Sequence, residues 1–287
     1  MSINRRGFFK VLGVTGAALA TGSQLNASPK TKTEKEFYGV LYDSYRCVGC
    51  RNCEYECAAA NGLPEPPDDI LPDRKTDDKH RTVVNEYNTS KGVFYSKVQC
   101  MHCNEPACVA ACLTQAMYKT KDGAVIWRAD KCMGCRYCMV SCPFDVPKFE
   151  YFSPNPKIEK CTMCYENKIS QGEIPACVAG CPAEALMYGT RRELIREARR
   201  RIAELPDVYN DHIFGEHEAG GTSWLHLSPV PFEELGMRTN ISRESYPAMT
   251  KTFLYSVPAI FVLVPALLAG VYQGTKKDDS NEEENEK

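Results

Sequence analysis

The 287-residue sequence has no cysteine before Cys47 and none after Cys181. A disulfide framework serving the whole chain is thereby excluded, and the sixteen thiols it does hold mark out one region. Histidine is scarce, at five residues. His80, His212, His217 and His226 are scattered, so the material for a histidine-built active site is missing. The acidic residues lie mostly in loops, and no two of them pair as acid and base. Excess charge of either sign is also lacking. The net is −2 at pH 7, which gives a nucleic acid nothing to bind by.

What is there repeats. Cys132, Cys135, Cys138 and Cys142 read C-x2-C-x2-C-x3-C, followed by Pro143, the spacing of a bacterial-type ferredoxin that holds [4Fe–4S] cubes. Three cysteines on a tight loop reach three irons on one side of a cube. The fourth lies past the loop, where Pro143 fixes the backbone and offers no N–H, and it belongs to a second cube. One such run therefore requires another, and there are three. Cys47, Cys50, Cys53 and Cys57 repeat the spacing. Cys100, Cys103, Cys108 and Cys112 carry a four-residue gap before the third member. Cys161, Cys164, Cys177 and Cys181 carry a twelve-residue gap there, Tyr165 to Ala176, and Pro182 follows. Zinc would use the paired C-x2-C motifs but leaves the third and fourth members of each quartet unexplained. Disulfide scaffolds are typically small and do not repeat one quartet four times.

Proximity along the chain pairs the second quartet with the third and leaves the first to pair with the fourth, an outer unit wrapped round an inner one. Exchange of the last cysteine within each pair then gives four ligand sets. Cys47, Cys50, Cys53 and Cys181 form one, and Cys57, Cys161, Cys164 and Cys177 a second. Cys100, Cys103, Cys108 and Cys142 form a third, and Cys112, Cys132, Cys135 and Cys138 a fourth. No thiol is left over. His102 falls inside the second quartet, where cysteine already fills every ligand place, and is expected to pack.

The flanks fit an exported, anchored protein. Residues 1–27 hold Arg5-Arg6 before Phe8-Phe9-Lys10, then a mild apolar run and small residues, an export signal that resembles the twin-arginine type. The iron–sulfur region is expected over 38–190, with an insertion at 58–99. Its first half is rich in Pro and Asp, and its second half should form a hairpin turning at Asn88 to Gly92. A second hairpin is expected round Asp122-Gly123. Residues 191–250 should be a helix and an irregular extension. Thr190 and Glu193 form a capping box that opens the helix, Pro206 stops it, and its six arginines read as a solvated face. A short strand is expected at Trp224 to Leu227. Phe253 to Tyr272 are twenty residues without a charge, long enough to span a bilayer, and 273–287 is a charged tail. The fold expected is α+β: two ferredoxin-like units in one chain with loop insertions, plus a single C-terminal transmembrane helix.

These quartets resemble those of the four-cluster iron–sulfur subunits of membrane-bound oxidoreductases. An export signal of its own together with a single C-terminal span is similar to the periplasmic electron-transfer subunit of hydrogenase-2-type nickel–iron hydrogenases. So are Leu41-Tyr42-Asp43, Gln99 to Cys103 and Gly134 to Val140. The resemblance implies four [4Fe–4S] clusters and no catalytic site in this chain. It also implies partners: the hydrogenase small and large subunits and a multi-span quinone-reactive membrane subunit, on the periplasmic side of the bacterial inner membrane. A molybdopterin catalytic subunit, of formate dehydrogenase or anaerobic reductase type, is the alternative partner. One departure is that Ala58 and Leu113, not proline, follow Cys57 and Cys112, which bears on the local turn.

Overall fold

The computed structural model describes residues 36–68 and 72–275. The export signal expected over 1–27 and the charged tail beyond 275 lie outside the described residues. Residues 36–250 form one packed unit, and residues 251–275 belong to a second.

The chain opens with strand β1 (Tyr38–Asp43) and helix α1 (Asn52–Asn61), then the hairpin of β2 (Val83–Thr89) and β3 (Gly92–Val98). Helix α2 (Ala107–Ala110), the hairpin of β4 (Met117–Lys119) and β5 (Val125–Trp127), and helix α3 (Tyr137–Val140) follow. A two-residue pair, β6 (Lys148–Phe149) and β7 (Ile158–Glu159), leads to helix α4 (Ala176–Ala179). Strand β8 (Leu186–Thr190), helix α5 (Arg191–Glu204), strand β9 (Trp224–Leu227) and helix α6 (Tyr246–Thr275) complete it.

Both hairpins form where turn residues place them. Thr89 pairs with Gly92 across Ser90-Lys91, and Lys119 with Val125 across the Asp122-Gly123 turn. Gly92 and Gly123 take φ of 118° and 102°, a region open to glycine and costly for other residues.

The sheet is built on β1, which runs antiparallel to β8 and parallel to β9. Alternation decides its two faces. Val40 and Tyr42 pack into the core beneath the cysteine loops, with Trp224, Phe214 and Met101. Leu41 packs on the other side with Leu194 and Ala198 of α5. The extension after residue 190 thus supplies both a sheet strand and the helix that covers the sheet.

The capping box forms as expected. The Glu193 amide donates to Thr190 Oγ1 at 3.4 Å, and the Thr190 amide to Glu193 Oε2 at 3.2 Å. The reading of six solvated arginines is corrected for two of them. The Arg201 side chain is 8% exposed and reaches Asp43 Oδ2 at 2.8 Å, where Tyr209 also donates at 2.8 Å. Arg191 Nε donates to the Thr222 carbonyl at 2.8 Å and Nη2 to that of Glu216 at 2.7 Å. Both arginines fasten the helix to the sheet layer instead of facing water.

Helix α6 is thirty residues, beginning before the charge-free run because Lys251 is accommodated in its first turns. Pro258 and Pro265 lie within it. By length and composition it is apolar enough to cross a membrane.

Candidate metal centres

Each quartet begins on a loop bent by residues in the left-handed region. In the first, Gly49 has φ 69° and Arg51 φ 57°; in the third, Gly134 has φ 72° and Arg136 φ 60°. Arg51 and Arg136 are the residues that start α1 and α3. The repeated C-x-G-C-R-x-C therefore folds twice into one backbone form, in which the chain curls round the first two cysteines before entering a helix. His102 in the second quartet, and Met163 and Cys164 in the fourth, bend the chain in the same region.

The third cysteine of each quartet lies on the short helix: Cys53 on α1, Cys108 on α2, Cys138 on α3, Cys177 on α4. The helices pack in pairs, α1 with α4 and α2 with α3. Gly180 allows the first contact, since a Cβ there would lie 2.4 Å from Glu56 Cγ, and Asn52 Nδ2 donates to the Gly180 carbonyl at 2.5 Å. Paired helices bring the fourth cysteine of each quartet to the loop of the other. After Cys57 the helix runs on through three alanines to Gly62, which caps it at φ 62°.

The thiols gather in four groups. Cys47, Cys50, Cys53 and Cys181 line one cavity, and Cys112, Cys132, Cys135 and Cys138 another. Between these, Cys161 and Cys164 raise the Cys57 thiol, and Cys161, Cys53 and Cys57 raise that of Cys177. Cys103 is influenced by Cys100, Cys142 and Cys108. Electrostatic influence also runs from group to group: Cys53 raises Cys177, Cys100 raises Cys161, and Cys138 raises Cys108. The groups make a row from the Cys47 group through the Cys57 and Cys100 groups to the Cys112 group.

The donor set fits iron and sulfur better than a single ion. All sixteen cysteines are unbridged. Among the described residues no three His, Cys, Asp or Glu side chains converge tightly enough for one metal ion, as tetrahedral zinc requires. Burial pushes the Cys53, Cys57 and Cys108 thiols up to about 12, and those of Cys138, Cys142 and Cys161 up to about 11. Neighbouring thiolates add to the rise in every one of them. Thiols so gathered cannot all ionise unless positive charge is placed among them, and a metal centre displaces their protons. Cys112 runs the other way. Burial raises it, but the Met117 amide, 3.4 Å from its sulfur, and Thr114 bring the net shift down.

His102 packs. It is fully buried, Nδ1 accepts from the Val125 amide at 2.8 Å, and burial with Lys160 and Lys119 nearby holds it well below its ordinary pKa. Sequence reasoning missed Glu54, a buried carboxylate that accepts from Arg51, from Arg74 at 2.6 Å and from the Val84 amide at 2.6 Å, tying the insertion to α1. It also missed Lys97, buried on β3. Burial lowers the Lys97 pKa and the thiols of Cys53, Cys177, Cys161 and Cys57 raise it, for a net rise. The position of Lys97 three residues before Cys100, on a strand of alternating pattern, was the available signal.

Comparison with known proteins gives concordant results. A family profile described as 4Fe-4S dicluster domain matches residues 92–191, which hold the second, third and fourth quartets. A protein of Nitratidesulfovibrio vulgaris is 43% identical over 96% of this chain and 78% of its own length. The hydrogenase-2 operon protein HybA of Escherichia coli O157:H7 is 33% identical over 98% of this chain and 97% of its own. The formate dehydrogenase iron-sulfur subunit of Haemophilus influenzae is 30% identical over 73% of this chain and 70% of its own.

Proposed function

Because the chain belongs to the family of ferredoxin-like 4Fe–4S iron–sulfur subunits that includes the hydrogenase-2 operon protein HybA, we propose that it relays electrons between a nickel–iron hydrogenase and a quinone-reactive integral membrane subunit. The row of four thiol groups carries this reading. Bound in them, four [4Fe–4S] clusters supply one-electron carriers and the whole of the redox chemistry. The ligand sets are those in which the thiols gather, each with one cysteine lent by the paired quartet.

The chain's own residues cage, space and insulate. Short helices fix the third cysteine of each quartet, and the core of Tyr42, Met101, Phe214 and Trp224 keeps water from the middle of the row. The two ends are open. Cys50 and Cys135 are the exposed cysteines. Exposed apolar side chains lie near both in the chain: Met133, Tyr137 and Val140, 82% exposed, within five residues of Cys135, Leu113, 87% exposed, next to Cys112 of the same group, and Val48 and Tyr45 within five residues of Cys50. Apolar rims at both ends suit docking of an electron donor at one and an acceptor at the other. The chain then needs no catalytic site of its own. Export by the twin-arginine signal and tethering by α6 place it on the periplasmic side of the inner membrane.

The resemblance to the formate dehydrogenase iron-sulfur subunit supports a second reading, the same relay serving a molybdopterin oxidoreductase. Co-purification from detergent-solubilised membranes followed by mass spectrometry separates the two. A nickel–iron large subunit is expected, and a molybdopterin subunit in its place overturns the hydrogenase reading. Iron analysis of this chain separated from its partners should return about sixteen atoms, four for each cube. About half that overturns the four-cluster count.

A further inference from the structure

Two buried arginines of the unit are matched by carboxylates. Arg51 has Glu54, and Arg201 has Asp43 and Glu197. The two buried lysines are not. Lys160 Nζ donates to the Val125 carbonyl and to the Cys161 carbonyl at 2.8 Å, and bears on Cys108 and Cys142 of the Cys100 group. Lys97 faces the other end of the row. It is 2% exposed, its Nζ donates to Thr82 Oγ1 and to Gln99 Oε1 at 3.3 Å, and it lies 5.0 Å from the centre of the Trp224 ring. A hydroxyl, an amide and an indole face hold the ammonium, and none of them is an anion. A buried charge with no counter-charge is expensive, so its position demands a negative partner.

The partner is set by what faces it. The thiols on which Lys97 bears are Cys53 of the Cys47 group and Cys177, Cys161 and Cys57 of the next group. The same four relationships appear from the thiol side. Lysine is absent from the neighbours that shift Cys138 in the Cys112 group, which are Cys112, Cys132 and Cys135. A cube held by four thiolates is net negative, and one-electron reduction makes it more so. An ammonium beside it favours the reduced form through a low-dielectric interior.

We propose that Lys97 is a positioning residue for electron transfer, raising the reduction potentials of the two centres held by the Cys47 and Cys57 groups and leaving those of the Cys100 and Cys112 groups to their own surroundings. No bond is made or broken: the electron arrives from one neighbour in the row and leaves for the next. Lys97 arrives on the hairpin of the insertion, so the insertion sets the potential of the outer half of the row. The inference rests on the relay reading above.

The test is an EPR-monitored redox titration of the full chain in its membrane complex, with iron measured on each sample. Lys97→Met should lower two of the four midpoint potentials, each by about tenfold or more in the one-electron equilibrium, about 59 mV. Lys97→Arg, which keeps the charge, should leave all four within half of that shift. Gln99→Glu sets a carboxylate beside Nζ without changing size and should lower the same two, so it decides the matter even where Lys97→Met fails to assemble. Unmoved potentials in both Lys97→Met and Gln99→Glu overturn the proposal, as does an equal shift of all four. A wild-type chain that holds no iron once separated from its partners overturns the relay reading instead, so the two failures are told apart.

Discussion

The first and third quartets carry the same seven-residue pattern and the same backbone, yet they live in opposite surroundings. Round the first, the Arg51 guanidinium is buried against Glu54 at 3.2 Å and also reaches the Pro67 and Asp68 carbonyls. Tyr95 of the insertion lies over Gly49, so that a Cβ there would sit 2.2 Å from its ring. Round the third, Arg136 stacks on Phe149 and Tyr151, 5.5 and 5.6 Å from the ring centres, and a Cβ on Gly134 would meet Phe149 only at 4.0 Å. The ligand loop is thus a local invention of the sequence, while burial, charge and access are added by what the rest of the chain lays over it.

The largest effect comes from asking whether both halves exchange their last cysteine in the same way. Cys57→Ser and Cys177→Ser should each remove one centre, about a quarter of the iron, and the two variants should lose the same EPR signal. In the inner half, Cys112→Ser and Cys138→Ser should likewise share a loss. If Cys57→Ser loses the signal that goes with Cys53→Ser, each quartet closes on itself and the pairing of helices has been misread.

Arginine removal should then separate the two environments. Both residues sit at φ near 60°, so any backbone strain is common to them. Arg51→Ala leaves Glu54 buried with part of its counter-charge gone, and should cost about 3 kcal/mol. Arg136→Ala loses a cation–π contact at the surface, worth about 0.5–1 kcal/mol. The midpoint of cluster bleaching in guanidinium chloride measures the difference, and equal shifts would mean that the insertion does not shield the first loop. The glycines sharpen the same contrast on a smaller scale. Gly49→Ala and Gly134→Ala share a penalty of about 1 kcal/mol for the positive φ, and only Gly49→Ala must also displace Tyr95, adding about 1–2 kcal/mol. Tyr95→Ala in the Gly49→Ala background should recover the added part.

What could be read from the sequence was what is local. The quartets, the capping box of Thr190 and Glu193, and the turn at Asp122-Gly123 each declare themselves within a few residues. What could not be read depends on partners far along the chain. Arg201 looks like its solvated neighbours until Asp43, over 150 positions away, is packed beneath it. Trp224 to Leu227 reads as a short strand, but its parallel pairing with β1 follows only when α5 has crossed the sheet. Arg51 and Arg136 have the same flanking cysteines, and nothing within the motif tells which will be covered. Lys97 fits a polar strand position on any pattern of alternation, and its burial comes with Trp224, Thr82 and Gln99 closing round it.

The outer half also carries a buried imidazole. His226 on β9 pairs in register with Tyr42 of β1, and its ring lies 5.4 Å from that of Tyr42. Burial, with Lys97 adding to it, pushes its pKa down to about 3. The unfolded chain binds a proton on this residue near pH 6.5, whereas the folded chain stays neutral until about 3. Stability from His226 is therefore complete above about pH 6.5 and is lost as pH falls toward 3. Between pH 7 and 6 the loss should be only about 0.7 kcal/mol. It should vanish in His226→Asn when the pH dependence of the bleaching midpoint is compared with wild type. A slope that persists unchanged in that variant would place the acid-sensitive proton elsewhere, and would free the outer half of the row from this part of the contrast with the inner.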